Sequence, residues 1–235
     1  MEGRSASGFR PRWVRRLAQL AASIGLWLGA LFGGAGRFDW PRGWIYVASY
    51  LTMLVVSAAV IWLTNPGLFE ARARLRHRDT KGFDKVFLAV FLPLNYILPA
   101  AAGLDNARFG WWPISFVAVY PGLLLFAVAM VLLAWAMAVN PFAETTVRIQ
   151  TERGHTVVNS GPYRIVRHPM YAGAILMFLG TPLILGSMLA LLLAIGVVLL
   201  FVGRTALEDR TLRRELMGYE AYATCTRYRL LPGVW

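Results

Sequence analysis

Long apolar runs recur along this 235-residue sequence, and their length constrains the fold more than any other feature. A bilayer core of about 30 Å is crossed by about 20 helical residues. Because the bilayer offers no water to backbone N–H and C=O groups, segments that span it must be helices. With 57% hydrophobic residues, the chain is expected to fold as an all-α, polytopic membrane helical bundle.

Breaks between the apolar runs predict about six transmembrane helices, or five if one run is re-entrant. Residues 1–16 are expected to form a basic cytoplasmic arm, followed by four spans within 17–139, with prolines 93, 99 and 121 kinking or interrupting the last two. A short outside turn is expected over 104–110, and Trp40 and Trp44 are suited to the headgroup region. Two shorter runs follow at 170–186 and 188–203, and Gly186-Ser187 between them allows a bend. We interpret 1–235 as one integral membrane domain whose C-terminal half, 140–235, contains this hairpin and a cytoplasmic helix.

The positive charge lies on one side of that topology. The net charge is +12, yet of the 24 Lys and Arg residues only Arg37, Arg42 and Arg108 fall on the other side. This positive-inside bias predicts an integral membrane protein with both termini in the cytoplasm. The charge is thereby explained by orientation and lipid contact, so membrane lipids are expected as partners and nucleic acid is not. The oligomeric state is left open.

Cysteine and histidine usage excludes two further kinds of site. Cys225 is the single cysteine, so an intrachain disulfide is excluded. The three histidines, His77, His155 and His168, do not have the spacing of metal ligands. No metal site is predicted.

Two charged loops flank the spans on the basic side. The 68–85 segment is expected to be a short surface helix, and a solvated loop is the favoured interpretation over a role in substrate binding. The 140–170 segment alternates at 145–150, which predicts a small β-like excursion. Pro169 fits the first turn of the next helix, whose N–H groups would then face an anion on the cytoplasmic side.

The predicted hairpin brings two polar segments to the same side of the membrane. His168 precedes it and Arg204 follows it, so both should lie at neighbouring helix ends. Arg204 and Glu208 are spaced i,i+4 and share a helical face. A carboxylate this close to hydrocarbon is costly without a partner, which makes it a candidate functional group. Asp209 and Arg213 have the same spacing on another face, and we interpret that pair as structural.

Both polar segments resemble motifs of the membrane methyltransferases related to isoprenylcysteine carboxyl methyltransferase and to phospholipid methyltransferases. The first reads Gly161-Pro162-Tyr163, then Arg167-His168-Pro169-x-Tyr171-x-Gly173. The second reads Arg204-x-x-x-Glu208-Asp209, then Gly218-Tyr219-x-x-Tyr222 and Arg229-x-x-Pro232. Both occur in the family's order within about 140–235. The chain departs from the usual pair of adjacent glutamates at Asp209.

The resemblance implies S-adenosyl-L-methionine as the cofactor and methyl donor, with a lipid-like methyl acceptor. It implies cofactor binding by Gly161, Tyr163, Arg167, His168, Pro169, Tyr171, Gly173, Tyr219 and Tyr222, and catalytic roles for Arg204 and Glu208. Methyl transfer from a sulfonium is an in-line displacement that needs alignment and exclusion of water. The planar guanidinium of Arg204 suits a carboxylate, so the carboxylate of a prenylated thioether or related lipid is favoured over an amine.

Two other functions remain open at this point. A sterol-reductase-like, NADPH-dependent membrane reductase has a related C-terminal region, although such reductases usually have more spans than this chain can form. A non-catalytic structural membrane protein would not require the two polar segments to converge. Cofactor titration separates the first from a methyltransferase, and the distance between the two segments separates the second.

Overall fold

The computed structural model describes residues 12–72, 77 and 79–235. The basic arm expected at the N-terminus lies outside the described residues as far as residue 11. Five positions of the 68–85 segment, 73–76 and 78, lie outside them as well.

The described residues form eight α-helices and, as the sequence predicts, an all-helical bundle. They are α1 (Arg12–Ala35), α2 (Pro41–Thr64), α3 (Gly67–Arg72), α4 (Gly82–Ala102), α5 (Val119–Val139), α6 (Pro169–Leu185), α7 (Met188–Glu215) and α8 (Tyr219–Cys225). Five segments are long and apolar enough to cross a membrane, and they contain α1, α2, α4, α5 and α7. The 17-residue α6 is a shorter apolar helix. Five long helices and one short apolar helix therefore correspond to the six apolar runs that the sequence predicts.

Successive apolar helices run in opposite directions, so the bundle has two distinct ends. At one end, which we call the tryptophan end, residues 36–44, 103–118 and 183–189 meet, and Trp40, Trp44, Trp111 and Trp112 lie there. The Ser187 hydroxyl donates to the Asp105 carboxylate at 2.6 Å there. At the other, which we call the basic end, residues 64–85, 140–169 and 204–235 meet.

Glycines permit a close backbone contact between α5 and α6. A Cβ on Gly122 would lie 2.9 Å from the Ile184 nitrogen, and one on Gly180 would lie 2.8 Å from the Gly122 carbonyl oxygen. Small residues that let helix backbones approach are a common means of association in membranes. This contact fixes the end of α6 against the start of α5, at the tryptophan end of the bundle.

The bend predicted at Gly186-Ser187 is confirmed, and it sets the direction of α7. Gly186 ends α6 with a left-handed φ of 75°, which glycine adopts at little cost. Ser187 caps α7 by accepting a hydrogen bond from the Ala190 N–H at 3.0 Å. Helix α7 then runs without a break to Glu215, well past the predicted end of its apolar run. Glu208 and Asp209 therefore sit on a continuous helix and not on a separate cap.

Four local expectations prove wrong. Pro121 lies in the first turn of α5, where a missing N–H does no harm, and does not interrupt that span. The outside turn expected from Leu104 is a π-helix over Gly103–Phe109. Among the described residues no strand forms, and 145–158 is irregular chain with a 3₁₀ turn. Trp40, expected among lipid headgroups, is buried and donates to Asn106.

Candidate active site

A buried carboxylate, Asp209, organises the basic end. Its Oδ1 accepts from Arg167 Nε at 2.7 Å and from the Tyr219 hydroxyl at 3.1 Å, and the nearest His168 nitrogen lies 3.5 Å away. Its Oδ2 accepts from Arg213 at 3.2 Å and from Arg229 at 3.1 Å. The predicted pair with Arg213 is therefore present, as one of several contacts. Since the side chain is 1% exposed, these partners are what make its burial tolerable.

Arg167 joins the start of α6 to the C-terminal segment. Its Nη1 donates to the carbonyls of Thr226 at 2.7 Å and Arg227 at 2.8 Å. The backbone N–H groups of Arg167 and His168 donate to the Tyr228 and Arg229 carbonyls, both at 2.9 Å. These bonds fold the chain after α8 over the N-terminus of α6. The two polar segments that the sequence analysis singled out are thus in direct contact.

The closest link between the two motifs is a hydrogen bond from the Tyr171 hydroxyl to Glu208 Oε2. The Tyr171 ring stacks on the His168 ring with centroids 5.7 Å apart and an interplanar angle of 3°. Tyr171 therefore lies between the imidazole of the first motif and the acid of the second. Glu208 is half-buried, whereas its neighbour Asp209 is enclosed.

Arg204 has a different partner from the one its spacing suggests. Its Nη2 lies 2.8 Å from Asp84 Oδ1 and donates to the Thr145 carbonyl at 2.9 Å. The guanidinium carbon lies 4.3 Å from the Phe87 ring centroid and 5.0 Å from that of Tyr171. The predicted i,i+4 pair with Glu208 is replaced by an ion pair between α7 and α4.

A cavity opens between the 142–158 loop, the start of α6 and the end of α7. Seven of the predicted site residues line it: Tyr163, Arg167, His168, Tyr171, Glu208, Tyr219 and Tyr222. Gly161, Pro169, Gly173 and Arg204 lie outside its lining. The structure therefore places most of the polar predicted residues around one space and puts the small ones behind it.

The residues behind the cavity have visible packing roles. Gly161 has a φ of 54°, and a Cβ there would lie 2.9 Å from Trp135 Nε1. A Cβ on Gly173 would lie 2.9 Å from the Leu133 side chain. Pro169 begins α6 after His168, as predicted, where its missing N–H leaves no bond unmade. All three set how closely the site-bearing segments approach α5.

Three tyrosines form the far wall of the cavity. The Tyr222 hydroxyl donates to the Tyr163 carbonyl at 2.7 Å, and Asn140 donates to the Tyr163 hydroxyl at 2.8 Å. Burial raises the pKa of Tyr222 to about 12, and it raises the pKa of Tyr163 and Tyr219 well above the usual value. All three hydroxyls therefore stay protonated at neutral pH, and those of Tyr219 and Tyr222 use their proton within the site, to Asp209 and to the Tyr163 carbonyl.

The loop that covers the cavity is held by charge. Arg148 contacts the carboxylates of Glu144 at 2.8 Å, Asp79 at 3.1 Å and Glu152 at 2.6 Å. These bonds, that to Glu144 foremost, hold the pKa of Arg148 above its usual value. His155 closes the loop by accepting from the Gln150 N–H at 3.4 Å, and its ring lies 4.5 Å from that of Phe142.

Two residues of the site come from the segment interpreted as a solvated loop. Asp84 is fully buried, and its Oδ2 accepts from the Val147 N–H at 2.7 Å. Arg72, at the end of α3, donates to the Ala143 carbonyl at 2.7 Å, beneath the covering loop. One signal for Asp84 was present in the sequence, since an acid in the first turn of a helix that enters the membrane needs a partner. No comparable signal marks Arg72.

Comparison with known families agrees with this geometry. Residues 117–216 match the sequence model of the family described as phospholipid methyltransferase. The match begins just before α5 and ends just after α7, so it includes the first motif and the Arg204-to-Asp209 part of the second. The resemblance to membrane methyltransferases is thus confirmed over this stretch. Comparison with curated proteins gives no match.

Proposed function

We propose, on the premise that residues 117–216 carry the phospholipid methyltransferase pattern, that the chain transfers a methyl group from S-adenosyl-L-methionine to a lipophilic acceptor. The acceptor group is the carboxylate of a prenylated thioether or a related lipid. The observation that carries this proposal is the cavity at the basic end, where Tyr171 of the first motif donates to Glu208 of the second. We place that end, with both termini, in the cytoplasm of a bacterial inner-membrane protein.

The donor would occupy the cavity itself. Tyr163, Tyr219 and Tyr222 supply aromatic faces suited to an adenine ring, and such faces attract cations such as a sulfonium. His168 and the Arg167 guanidinium supply polar contacts for the donor's amino-acid end. The covering loop excludes water from the sulfonium, which favours displacement over hydrolysis.

The acceptor would approach from the bilayer side. Arg204 lies at the boundary between the charged loop and an apolar floor of Phe87, Phe91 and Phe201, whose ring centroids are 5.0 to 5.3 Å apart. In the transfer, an acceptor oxygen forms a bond to the methyl carbon. The carbon–sulfur bond breaks, and its electron pair stays on sulfur as a neutral thioether. Glu208 balances the positive sulfonium before transfer and, for an amine acceptor, takes the released proton.

The two halves of the chain act together in this proposal. Asp84 and Arg72 come from the N-terminal spans, whereas the donor contacts come from 140–235. We therefore propose that 1–235 works as one unit and that the N-terminal spans complete the acceptor side.

Donor binding tests the proposal without knowledge of the natural acceptor. Purified protein in detergent is titrated with S-adenosyl-L-methionine, with its demethylated product and with NADPH. Saturable binding of the first two, weakened in His168→Ala, is expected. Binding of NADPH in their place would support the reductase alternative, and binding of none would end the methyltransferase proposal. Lys85→Ala, on the same side of the protein and outside the cavity lining, is the matched control.

A further inference from the structure

We propose that Asp84 is a positioning residue, which holds Arg204 toward the acceptor and thereby keeps it from pairing with Glu208. The inference rests on the proposed function, because Arg204 and Glu208 are the groups assigned to the acceptor side. It adds a residue from the N-terminal half of the chain to the site, outside the stretch that matches the methyltransferase family.

The first step is a competition between two acids for one guanidinium. Glu208 lies one helical turn from Arg204, a spacing at which ion pairs form readily on a helix surface. In the structure Arg204 instead pairs with Asp84, and 2.8 Å separates Arg204 Nη2 from Asp84 Oδ1. The Asp84 side chain is fully buried and that of Arg204 is 7% exposed. An enclosed pair of this kind is held more firmly than a solvent-exposed i,i+4 pair.

The second step is the way in which Asp84 itself is fixed. Its Oδ2 accepts from the Val147 N–H, and the Lys81 N–H donates to the Val147 carbonyl at 3.1 Å. The start of α4 is therefore tied to the covering loop at two backbone positions. Arg204 donates to the Thr145 carbonyl in the same stretch. Helix α4, the loop and α7 meet at this one guanidinium.

The third step is what the pairing leaves unused. Within the described part of the chain, buried Arg204 Nε and the hydroxyls of Thr80, Thr145 and Thr146 are among the polar atoms that have no hydrogen-bond partner. Buried polar atoms of this kind normally have one, so such a group of atoms calls for an explanation. A polar headgroup beside Arg204 would supply acceptor oxygens to Nε and the threonine hydroxyls. The pairing with Asp84 thus leaves one donor of Arg204, its Nε–H, free to bind a headgroup.

As a consequence, the two acids, Asp84 and Glu208, have different roles. While Arg204 is held by Asp84, Glu208 remains free to accept from Tyr171 and to face the cavity. Without the Asp84 charge, Arg204 can turn to Glu208. The acceptor then loses its anchor and the sulfonium loses its counter-charge, whereas donor contacts made by His168 and the tyrosines are unchanged.

The test compares Asp84→Asn with Glu215→Gln in purified protein. Glu215 pairs with Lys81 at 2.7 Å, so the control also breaks an ion pair between the starts and ends of the same two helices, but an exposed one. Probe acceptors are a synthetic prenylated cysteine and phosphatidylethanolamine vesicles, and kinetics are measured with whichever the wild type methylates faster. For Asp84→Asn we expect acceptor kcat/KM to fall by about 10- to 100-fold, as for the loss of a charge-assisted hydrogen bond, with donor Kd unchanged. Glu215→Gln should retain both values.

A merely structural role predicts a different pattern, in which donor Kd and acceptor kcat/KM worsen together. That result, or wild-type acceptor kinetics in Asp84→Asn, would overturn the inference while methyl transfer by the wild type upholds the proposed function. A wild type that transfers no methyl group to either probe overturns both. Asp84→Glu answers the same question if Asp84→Asn does not fold, because it keeps the charge but moves the carboxylate: the same split is expected.

A double-mutant cycle tests whether Asp84 affects activity through Arg204. If Asp84 acts through Arg204, then Asp84→Asn should cause little further loss of activity in an Arg204→Gln background. Additive losses would show that Asp84 acts independently of Arg204, contrary to the inference.

Discussion

The two ends of the bundle bury charged side chains in opposite ways. At the tryptophan end, Asp105 accepts from the backbone N–H groups of Trp112 at 2.7 Å and Leu189 at 3.2 Å and from the Ser187 hydroxyl. Buried Arg42 donates to the Ile114 carbonyl at 2.9 Å and to carbonyls at the end of α6. Both charges are used to close turns on backbone groups.

At the basic end the charges face one another and a cavity. Asp209 and Arg148 each bind several side chains, Glu208 lines the cavity, and the buried Nε of Arg204 has no hydrogen-bond partner in the described residues. A fully satisfied polar cluster stabilises a fold, whereas an incompletely satisfied one is typical of a site that awaits a ligand. The difference agrees with the proposed function, in which the tryptophan end stabilises the fold and the basic end holds the site.

The largest expected effect is the loss of turnover in Glu208→Gln. Removing the charge should lower kcat by about 10²- to 10⁴-fold while leaving the thermal midpoint unchanged, because the side chain is half-buried and sits in the cavity wall. Initial rates with labelled donor measure it, with Glu215→Gln on the same helix as the control. Turnover close to wild type would remove Glu208 from the reaction.

The converse is expected for Asp105→Ala at the tryptophan end. Three donors lose their acceptor there, each at about 1–3 kcal/mol, so the free energy of unfolding should fall by about 3 kcal/mol or more. Denaturant titration in detergent measures it. Turnover per folded molecule should persist. A variant with normal stability and no activity would reverse the assignment of the two ends.

A smaller effect is expected for Tyr171→Phe, which removes only the hydroxyl that binds Glu208. The ring still stacks on His168 and still lies beneath Arg204. We expect kcat to fall by about 10-fold, as for the loss of one hydrogen bond to a charged group, with donor Kd nearly unchanged. Steady-state kinetics with varied donor separate the two values. A change in donor Kd alone would make Tyr171 a binding residue only.

The smallest effect concerns pH and the covering loop. Burial holds the pKa of His155 below its usual 6.5, and its Nδ1 accepts from the Gln150 N–H, so the folded loop favours the neutral ring. Its contribution is fully present above pH 6.5. It is lost as the pH falls below that value, because the unfolded chain binds the proton more readily. Thermal midpoints from pH 7.5 to 5.0 should fall less in His155→Gln than in the wild type. Equal slopes would contradict this.

The sequence predicts the parts of the fold that depend on length and on local chemistry. Apolar run length predicts the helices, and Gly186-Ser187 predicts the bend, because glycine at positive φ and a serine cap are local effects. Trp40 shows the limit. A tryptophan beside a turn favours the headgroup region, but a distant amide, Asn106, draws it inside.

The same limit applies at the site. The Arg204–Glu208 spacing suggests the wrong partner for Arg204, because Asp84 is 120 residues away in sequence and no local pattern connects them. The spacing predicts one partner for Asp209, which is Arg213, whereas packing in the structure adds further partners, including Arg167 and Tyr219. The motif identifies residues such as Gly161 and Gly173, but it does not reveal their packing role, since their contacts with α5 are visible only in three dimensions.

Transfer of label from S-adenosyl-L-methionine that is labelled in its methyl group into lipid tests the central claim most directly. Purified wild type and Glu208→Gln are reconstituted in phosphatidylethanolamine vesicles with and without a prenylated cysteine, and label in the organic phase is measured. The account predicts label in that phase with the wild type, more with the prenylated cysteine present, and background with Glu208→Gln. Background label with the wild type under both conditions, or equal label with the variant, would contradict it.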